Sequence, residues 1–562
     1  MKHLFYLLLI SFISFSLWFS CGSEDLPEPP PDEEEPIIID PPIDPFDPDT
    51  VEVIVLDPVK IIYNAQTATI TNPFEGKGVT VTQQNAHIVV RSTTTDTVSY
   101  IITGTTPNGS LKIYSETQFV LIINGVDIIN ANDPAINIQT KRKATVILAD
   151  GSSSRLVGGM GYISEESDEK AKAAFFSRGQ LVFTDAGSLT VISRYRHAIC
   201  SDDYISIDGG TITVPISAND GFHANDYIEI NAGKIDIYSM GDGMDSEGYI
   251  LIKGGDINIT TIGDKSHGIK STTETTVQTS GDIIIKVEGD ASKAFKCGGN
   301  MLISQGNLQL MASGDACYDA EEADMSSASG IKCNGNLTIS GGTIVISSTG
   351  LGGKGINVTG TLTINAGEIE AIATGGVYKI SNDNTKARAI KSDGTLTIKG
   401  GNIYAVSKTD DAIATKGNLT ITGGTVISVA SELSKKGFNC SKTFGISGGT
   451  IVGASGASSA PTASACTQNV VNFTGNITQN QYYNISSSSG KNILTYQLPC
   501  TLSRAFVLFS NPDLTRGQSY TISSGGEVAG GTAFHGLFND AVYQGGTIRA
   551  NFTISSILTN LN

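Results

Sequence analysis

The chain has 562 residues with 63 glycines, a mean hydropathy of +0.02 and a formal net charge of −18. This composition excludes global disorder and allows a large buried core. Much of the negative charge lies in residues 22–50, which contain eleven acidic residues and no basic ones. The remainder is only mildly acidic, which argues against a nucleic-acid partner and is compatible with cations or neutral glycans.

The first 20 residues have the pattern of a secretory signal peptide. Lys2 is followed by an almost wholly apolar run that ends directly before Cys21. We therefore predict that Cys21 is the lipid attachment site of a lipoprotein. An uncleaved membrane anchor is the alternative, and either arrangement tethers the chain. No later run is apolar for long enough to span a bilayer.

Residues 21–50 have the composition of a linker. Nine prolines are interspersed with acidic residues, and such a segment repels itself and stays extended. The acidic residues directly after Cys21 resemble the export signals of Gram-negative surface lipoproteins. The expected location is therefore the cell surface, on the outer membrane.

A sequence repeat of about two dozen residues fills most of the chain. In eleven copies a small residue precedes a bulky apolar one, which serves as the anchor of the copy. The anchors are Phe175, Ile199, Phe222, Met244, Ile269, Phe295, Ile331, Ile356, Ile390, Ile413 and Phe438. A glycine falls eleven residues after the anchor in nine copies and one residue later in the other two, at Gly187 and Gly281.

Each copy predicts three short strands, because apolar residues alternate with outward-facing ones. Glycine adopts positive φ at no steric cost and so marks the same corner in every copy. These features predict an all-β parallel β-helix with three strands per coil and about 11–13 coils, over residues 51–455. Beyond residue 455 the period fails but alternation continues, which predicts a β-rich C-terminal cap at residues 456–562.

Stacked coils convert sequence offsets into columns of neighbouring side chains. Asp220 and Asp242 stand two residues before their anchors, and Asp245 stands one residue after its own. Carboxylates this close cannot all stay ionised without a counter-ion, which is either a bound cation or the ammonium of Lys270. We expect Ca²⁺, which prefers carboxylate and amide oxygens. Its predicted ligands are Asp220, Asp242, Asp245, Glu247, Asn225 and Asp226. The alternative is that these residues serve only solubility and edge protection.

Three tyrosines recur five residues after the anchor in successive copies, at Tyr204, Tyr227 and Tyr249. Rings in register on the outside of a coil can bind sugar, since a ring face stacks on a pyranose. With His223 and Lys270 nearby, they form the predicted carbohydrate-binding site. The alternative is that the rings only shield a corner.

The sequence offers few residues for catalysis. It has no nucleophile elbow, phosphate loop or HExxH motif. If the protein is an enzyme, the candidate bases are Lys270 and Lys296. A lysine base needs a lowered pKa, whereas adjacent carboxylates raise it.

The stretches "DGFHANDYIEINAGKIDI", "GDGMDSEGYILIKGGDINI" and "DAIATKGNLTITGGTVISV" resemble the carbohydrate-binding β-helix family of bacterial surface proteins. The resemblance covers roughly residues 55–530 and repeats in phase. It implies a right-handed parallel β-helix like that of pectate lyases, calcium binding, and attachment to plant-type polysaccharides such as cellulose or polygalacturonate. The positions that match the family motif D-G-I-H-A-D are Asp220, Gly221, His223 and Ala224. Phe222 and Asn225 depart from it.

Together these observations predict a lipid-anchored surface protein that binds polysaccharide with the help of calcium and without catalysis. Two other functional classes remain open. One is a calcium-dependent, pectate-type polysaccharide lyase. The other is a structural adhesin or spacer, in which the columns serve only packing and solubility.

Overall fold

The computed structural model describes residues 57–162, 169–320 and 323–561, and these belong to one compact unit, Val55–Asn562. The predicted signal peptide, the linker and Cys21 lie outside the described residues. Within the described ranges, no helix is long and apolar enough to cross a membrane.

Parallel coils stack into a β-solenoid of about 14 turns, which confirms the predicted all-β parallel β-helix. One strand of each coil lies in a 15-stranded sheet, which we call the first face. Its strands are Val79–Gln84, Ala86–Ser92, Gly109–Ser115, Ile136–Ile138, Ala173–Ser177, His197–Ser201, Phe222–Ala224, Met244–Ser246, Ile269–Ser271, Lys293–Cys297, Ser329–Cys333, Lys354–Val358, Arg388–Ser392, Ile413–Thr415 and Phe438–Cys440.

The other two strands of each coil belong to a 29-stranded sheet that forms the second and third faces. The second-face strands are Ala144–Leu148, Leu181–Thr184, Ile205–Ile207, Ile228–Ile230, Ile250–Ile252, Leu337–Ile339, Leu362–Ile364, Leu396–Ile398, Leu419–Ile421 and Phe444–Ile446. The third-face strands are Ser153–Val157, Ser188–Ser193, Thr211–Ser217, Lys234–Ser239, Asp256–Thr261, Thr343–Ser348, Glu368–Ala373, Asn402–Ser407, Thr425–Ala430 and Thr450–Ser455. Four strands run through both faces, namely Val98–Thr106, Phe119–Ile129, Thr275–Val287 and Met301–Ala312.

The eleven predicted anchors pair with one another in register along the first face, from Phe175 to Phe438. All are buried in one continuous core. The same column continues towards the N-terminus through Ile136, where the sequence has a weaker copy of the repeat, and then through Leu111 and Ile88. The sequence repeat missed the coils of Ile88 and Leu111, because their positive-φ glycines, Gly104 and Gly125, fall 16 and 14 residues after these anchors instead of eleven.

The nine glycines predicted at the common corner all adopt positive φ, from +77° at Gly255 to +137° at Gly306. At Gly255 a Cβ atom would also lie 2.9 Å from the carbonyl oxygen of Gly233, the corner glycine of the preceding coil. A side chain would therefore meet both backbone strain and a steric contact at this corner.

Antiparallel strands close both ends of the solenoid. Val59–Asn64 pairs antiparallel with Thr67–Thr71 at the first end. At the other end Leu502–Ser510 pairs antiparallel with the last third-face strand and with Val470–Ile477. The remaining C-terminal elements are a 3₁₀ turn at Ala463–Ala465 and the strands Tyr482–Ser487, Asn492–Gln497, Ser519–Ser524, Glu527–Ala529, Thr532–Phe534, Leu537–Asn539, Val542–Gln544, Thr547–Thr553 and Leu558–Leu561.

Two insertions project as small hairpins beside the first face. Cys317–Asp319 pairs with Asp324–Ser326, and Val377–Ile380 pairs with Asp383–Lys386. Both lie in the long steps of the repeat, where surface loops are expected. The second hairpin covers the ammonium of Lys354, which donates to Thr385 Oγ1 at 2.9 Å and to the carbonyl of Lys386.

Candidate functional site

The outward side chains of the first face form the column that the sequence offsets predict. Cys200, His223, Asp245, Lys270 and Lys296 occupy paired positions on five successive coils. Stacked parallel strands lie about 4.8 Å apart, so each side chain has a chemically different neighbour on either side. The column therefore juxtaposes an imidazole, a carboxylate and an ammonium on three consecutive coils.

A second column, two residues before the anchors, links successive coils through side chains. The backbone N–H of Asp242 donates to Asp220 Oδ1 at 2.8 Å, and the N–H of His267 donates to Asp242 Oδ1 at 2.5 Å. In the next step the N–H of Lys293 donates to His267 Nδ1 at 3.2 Å. These buried acids thus have a structural role, since each satisfies a backbone donor of the following coil.

Lys270 lies between two of the predicted metal ligands. Its ammonium is 3.1 Å from Asp242 Oδ2 and 3.1 Å from Asp245 Oδ1. Burial alone would lower the pKa of Lys270. The two carboxylates outweigh this effect, so the pKa lies above its ordinary value. Burial raises the pKa of Asp242 to about 6 despite the opposing effect of Lys270. The ammonium of Lys270, one of the two counter-ions that the sequence left open, is thus within ion-pair distance of both carboxylates.

The raised pKa of Lys270 is the reverse of what a catalytic base requires. Lys296 pairs with Lys270 on the first face and lies one coil farther from the acids. The geometry therefore does not give Lys270 the carboxylate-free surroundings that activate an amine.

The three tyrosines form a continuous stack at the turn that follows the first face. Their centroids are 4.5 Å apart between Tyr204 and Tyr227 and 4.7 Å apart between Tyr227 and Tyr249, with interplanar angles of 11° and 7°. Gly248 allows this approach, because a Cβ there would lie 1.8 Å from the carbonyl oxygen of Asp226. Since the rings cover each other's faces, the stack presents ring edges and phenol groups, whereas the sequence led us to expect ring faces against the sugar.

Acidic and amide side chains line the same turn. Asp203 and Asp226 precede Tyr204 and Tyr227 at equivalent positions of neighbouring coils, and Gln180 Nε2 donates to Asp203 Oδ2 at 2.6 Å. Burial first, and then the charge of Asp226, raise the pKa of Asp203 to about 6. The two carboxylates therefore repel each other at neutral pH.

A depression of about 240 Å³ adjoins this turn. It is lined by Lys141, Lys170, Arg178, Asp202, Asp203 and Asn225. The ammonium of Lys170 lies 2.8 Å from Asp202, and that of Lys172 lies 2.5 Å from the same carboxylate. Cationic and acidic groups thus stand side by side next to the tyrosine stack.

The structure divides the six predicted metal ligands into two groups. Asp220, Asp242 and Asp245 lie among the histidines and Lys270 on the first face, and their residues are at most 9% exposed. The other group lies on the following turn and comprises Asn225, Asp226 and Glu247. Sequence reasoning missed Asp203 as a member of the second group, although it has the same offset from its anchor as Asp226.

Calcium, which the family resemblance implies, fits the two groups differently. On the first face an ion at Asp242 and Asp245 would have to replace the ammonium of Lys270. On the turn, a hard cation would relieve the repulsion between Asp203 and Asp226 and could take the amide oxygen of Asn225 as a further ligand. The turn is therefore the better match to calcium chemistry.

Comparisons with known proteins concern the same coils. A profile of the family described as carbohydrate-binding domain-containing protein matches residues 84–375 and 325–437. A carbohydrate-binding domain-containing protein of Acetivibrio thermocellus is 30% identical over 111 residues, which are 19% of this chain and 39% of that relative. The chain thus matches about two-fifths of the relative's length.

A solved structure described as a polysaccharide lyase-like protein from C. thermocellum, in a gadolinium derivative, is 27% identical to this chain. The alignment covers 45% of this chain and 99% of the other, with a TM-score of 0.40. The family profile spans more than half of the 562 residues and includes the tyrosine stack, the first-face cluster and the acidic turn. A polysaccharide-binding role agrees with this match, and the chain belongs to the carbohydrate-binding domain family, with a parallel β-helix as its fold.

Proposed function

We propose that the protein is a lipid-anchored outer-membrane lipoprotein that binds polysaccharide on the side of its solenoid, with calcium and without cleaving the chain. The observation that carries this proposal is the stack of Tyr204, Tyr227 and Tyr249 beside the acidic turn, within the residues that match the carbohydrate-binding family. Of the two candidate bases, Lys270 has a raised pKa because of its two carboxylate neighbours, which supports binding without catalysis at this residue.

The tyrosine stack suits a linear polymer. Tyr227 has a ring on each side, so the stack offers a row of ring edges and phenol groups that repeats once per coil. Such a row can follow successive sugar units that run along the rod, each contributing a small apolar contact or a hydrogen bond. The affinity then comes from many weak contacts rather than from one deep pocket.

The surrounding charges favour an anionic glycan bridged by calcium. Asp203 and Asp226 repel a uronate carboxylate as long as no cation lies between them. A calcium ion held by these two residues and Asn225 would also accept carboxylate oxygens of the glycan. Lys170 and Arg178 at the adjoining depression add positive charge on the same side. Polygalacturonate is therefore the proposed first ligand, and neutral cellulose the second.

Affinity gel electrophoresis of the body, residues 51–562, tests this proposal. Polygalacturonate in the gel is expected to retard the protein in calcium and much less in a chelator, whereas a soluble cellulose derivative should be less sensitive to calcium. Tyr227→Ala should weaken both interactions about tenfold, the size expected when one aromatic contact of about 1.4 kcal/mol is lost. Asp226→Asn should weaken only the calcium-dependent one.

Tyr238→Ala is the matched control, because Tyr238 lies on the third face of the same coil and is 38% exposed. It should migrate like the unmodified protein. Absence of retardation by any glycan gel, or equal weakening by Tyr238→Ala and Tyr227→Ala, would contradict the proposed site. Release of unsaturated products that absorb in the near ultraviolet would instead identify a lyase.

The proposed lipid attachment at Cys21 is tested separately. Growth with an alkyne-bearing fatty acid should label the full-length protein, and Cys21→Ser should remove both the label and the association with the membrane fraction. The same substitution should leave glycan binding by the coils unchanged. A Cys21→Ser protein that stays with the membrane fraction would rule out this lipid as the anchor.

A further inference from the structure

Two imidazoles on neighbouring coils face a single carboxylate oxygen on the first face. His197 Nδ1 lies 2.9 Å from Asp220 Oδ2, and His223 Nδ1 lies 3.5 Å from the same oxygen. The two rings are stacked, with centroids 4.6 Å apart and an interplanar angle of 20°. A second carboxylate oxygen, Asp245 Oδ2, lies 3.4 Å from His223 Nδ1.

The two imidazole nitrogens are poorly satisfied by this arrangement. Both Nδ1 atoms are buried, and among the described residues neither has a partner at the distance and angle of a hydrogen bond. Buried polar atoms without a partner are rare, and each needs an explanation such as a ligand. Both atoms instead lie at ion-pair distance from one carboxylate oxygen, Asp220 Oδ2.

The neighbouring residues hold the carboxylates in place. Asp220 Oδ1 accepts the backbone N–H of Asp242 at 2.8 Å, which leaves Oδ2 towards the imidazoles. Asp245 Oδ1 faces the ammonium of Lys270 at 3.1 Å, which leaves its Oδ2 towards His223. Outer contacts that orient ligand atoms in this way are typical of protein metal sites.

We propose that His197, Asp220 and His223 bind a divalent transition-metal ion of the zinc class, with Asp245 as the fourth ligand. The three ligand atoms all lie within 4.8 Å of one another. Zinc takes nitrogen at about 2.0–2.1 Å and carboxylate oxygen at about 2.0–2.2 Å, so a tetrahedral ion needs ligand atoms about 3.3 Å apart. Three of the ligand-to-ligand distances, 2.9, 3.5 and 3.4 Å, are close to this spacing.

This site differs from the calcium site proposed on the turn in both chemistry and purpose. Imidazole nitrogen selects zinc, cobalt, nickel or copper over calcium, which takes oxygen ligands. The ligands come from three successive coils, so the ion would fasten those coils together. It would have to displace the proton that His223 holds near neutral pH, because Asp220 and Asp245, outweighing burial, raise the pKa of His223 to about 9.

Cobalt is a suitable probe, because Co²⁺ in a four-coordinate nitrogen and oxygen site absorbs visible light. The full chain, freed of metal with a chelator, is titrated with Co²⁺ at pH 7.5. We expect intense visible bands that saturate at one equivalent, disappear when Zn²⁺ is added, and persist in a hundredfold excess of Ca²⁺. Zn²⁺ should also raise the melting midpoint by several degrees, since an ion that binds only the folded state stabilises it.

His197→Gln and His223→Gln should each weaken Co²⁺ binding at least tenfold. His87→Gln is the control, because it removes a histidine of the first face on a distant coil. The cobalt titration and the Zn²⁺ melting shift of the unmodified chain test the proposal even if a variant fails to fold. The proposal is overturned if the unmodified chain gives no cobalt bands and no melting shift with Zn²⁺, or if Ca²⁺ displaces Co²⁺ at equal concentration. It is also overturned if the His197→Gln and His223→Gln variants fold and bind Co²⁺ as tightly as the His87→Gln variant does.

Discussion

Removal of residues 456–562 is expected to leave a rod that aggregates. The last third-face strand, Thr450–Ser455, would lose its antiparallel partner Leu502–Ser510 and present an open row of backbone donors and acceptors. The outward side chains Ile427, Val429 and Val452 would also lose the apolar core of the C-terminal segment, which covers them. An exposed strand edge beside an exposed apolar patch is a template for edge-to-edge association.

Size-exclusion chromatography of residues 51–455 and 51–562, prepared in parallel, measures this effect. The longer chain should elute as a defined species and the shorter one as large aggregates. As a control, Ile427→Lys and Val452→Lys in the shorter chain should recover part of the soluble fraction, because charges block edge pairing. A shorter chain that elutes as a monomer would show that the C-terminal segment does not protect this end.

Phe222→Ala should cost about 3–5 kcal/mol of unfolding free energy, the range seen when a large buried aromatic is truncated. Phe222 is fully buried and pairs in register with Ile199 on one side and Met244 on the other. In a solenoid each coil contacts only its neighbours, so a cavity at this coil weakens both of its interfaces. The same coil carries His223 and Tyr227, so the damage should extend to both candidate sites.

Denaturant titration of the body, followed by far-ultraviolet circular dichroism, gives the free energy. Tyr238→Ala on the same coil should change it by less than about 1 kcal/mol, because that ring is largely outside the core. Equal losses for Phe222→Ala and Tyr238→Ala would mean that the anchor column does not hold the coils together.

Most of the fold could be predicted from the sequence, because a solenoid repeats one local pattern. The anchors Phe175 to Phe438 and the corner glycines report burial and positive φ, which are properties of single residues. The two coils around Ile88 and Leu111 escaped prediction for a local reason. His87 precedes Ile88 where a small residue is expected, and the positive-φ glycines of the two coils, Gly104 and Gly125, do not have the common offset of eleven residues from the anchor.

The outward columns were also predictable, but their chemistry was not. A fixed period places Asp245 beside His223 and Lys270, as the strand register confirms. The period does not say which neighbour each carboxylate oxygen faces. Lys270 lies against both Asp242 and Asp245, while Asp220 faces two imidazoles. Which carboxylate meets which neighbour depends on side-chain rotamers and on how the chain bends into each strand.

The sequence by itself determined the class of fold, the register of its coils and the residues that line its outer face, because these follow from periodic burial and backbone conformation. Only the tertiary structure decided that Tyr204, Tyr227 and Tyr249 stack face to face and present their edges. It also decided that His197 and His223 converge on one oxygen of Asp220. Both outcomes depend on the distance between coils and on the directions of side chains, which no single repeat of the sequence contains.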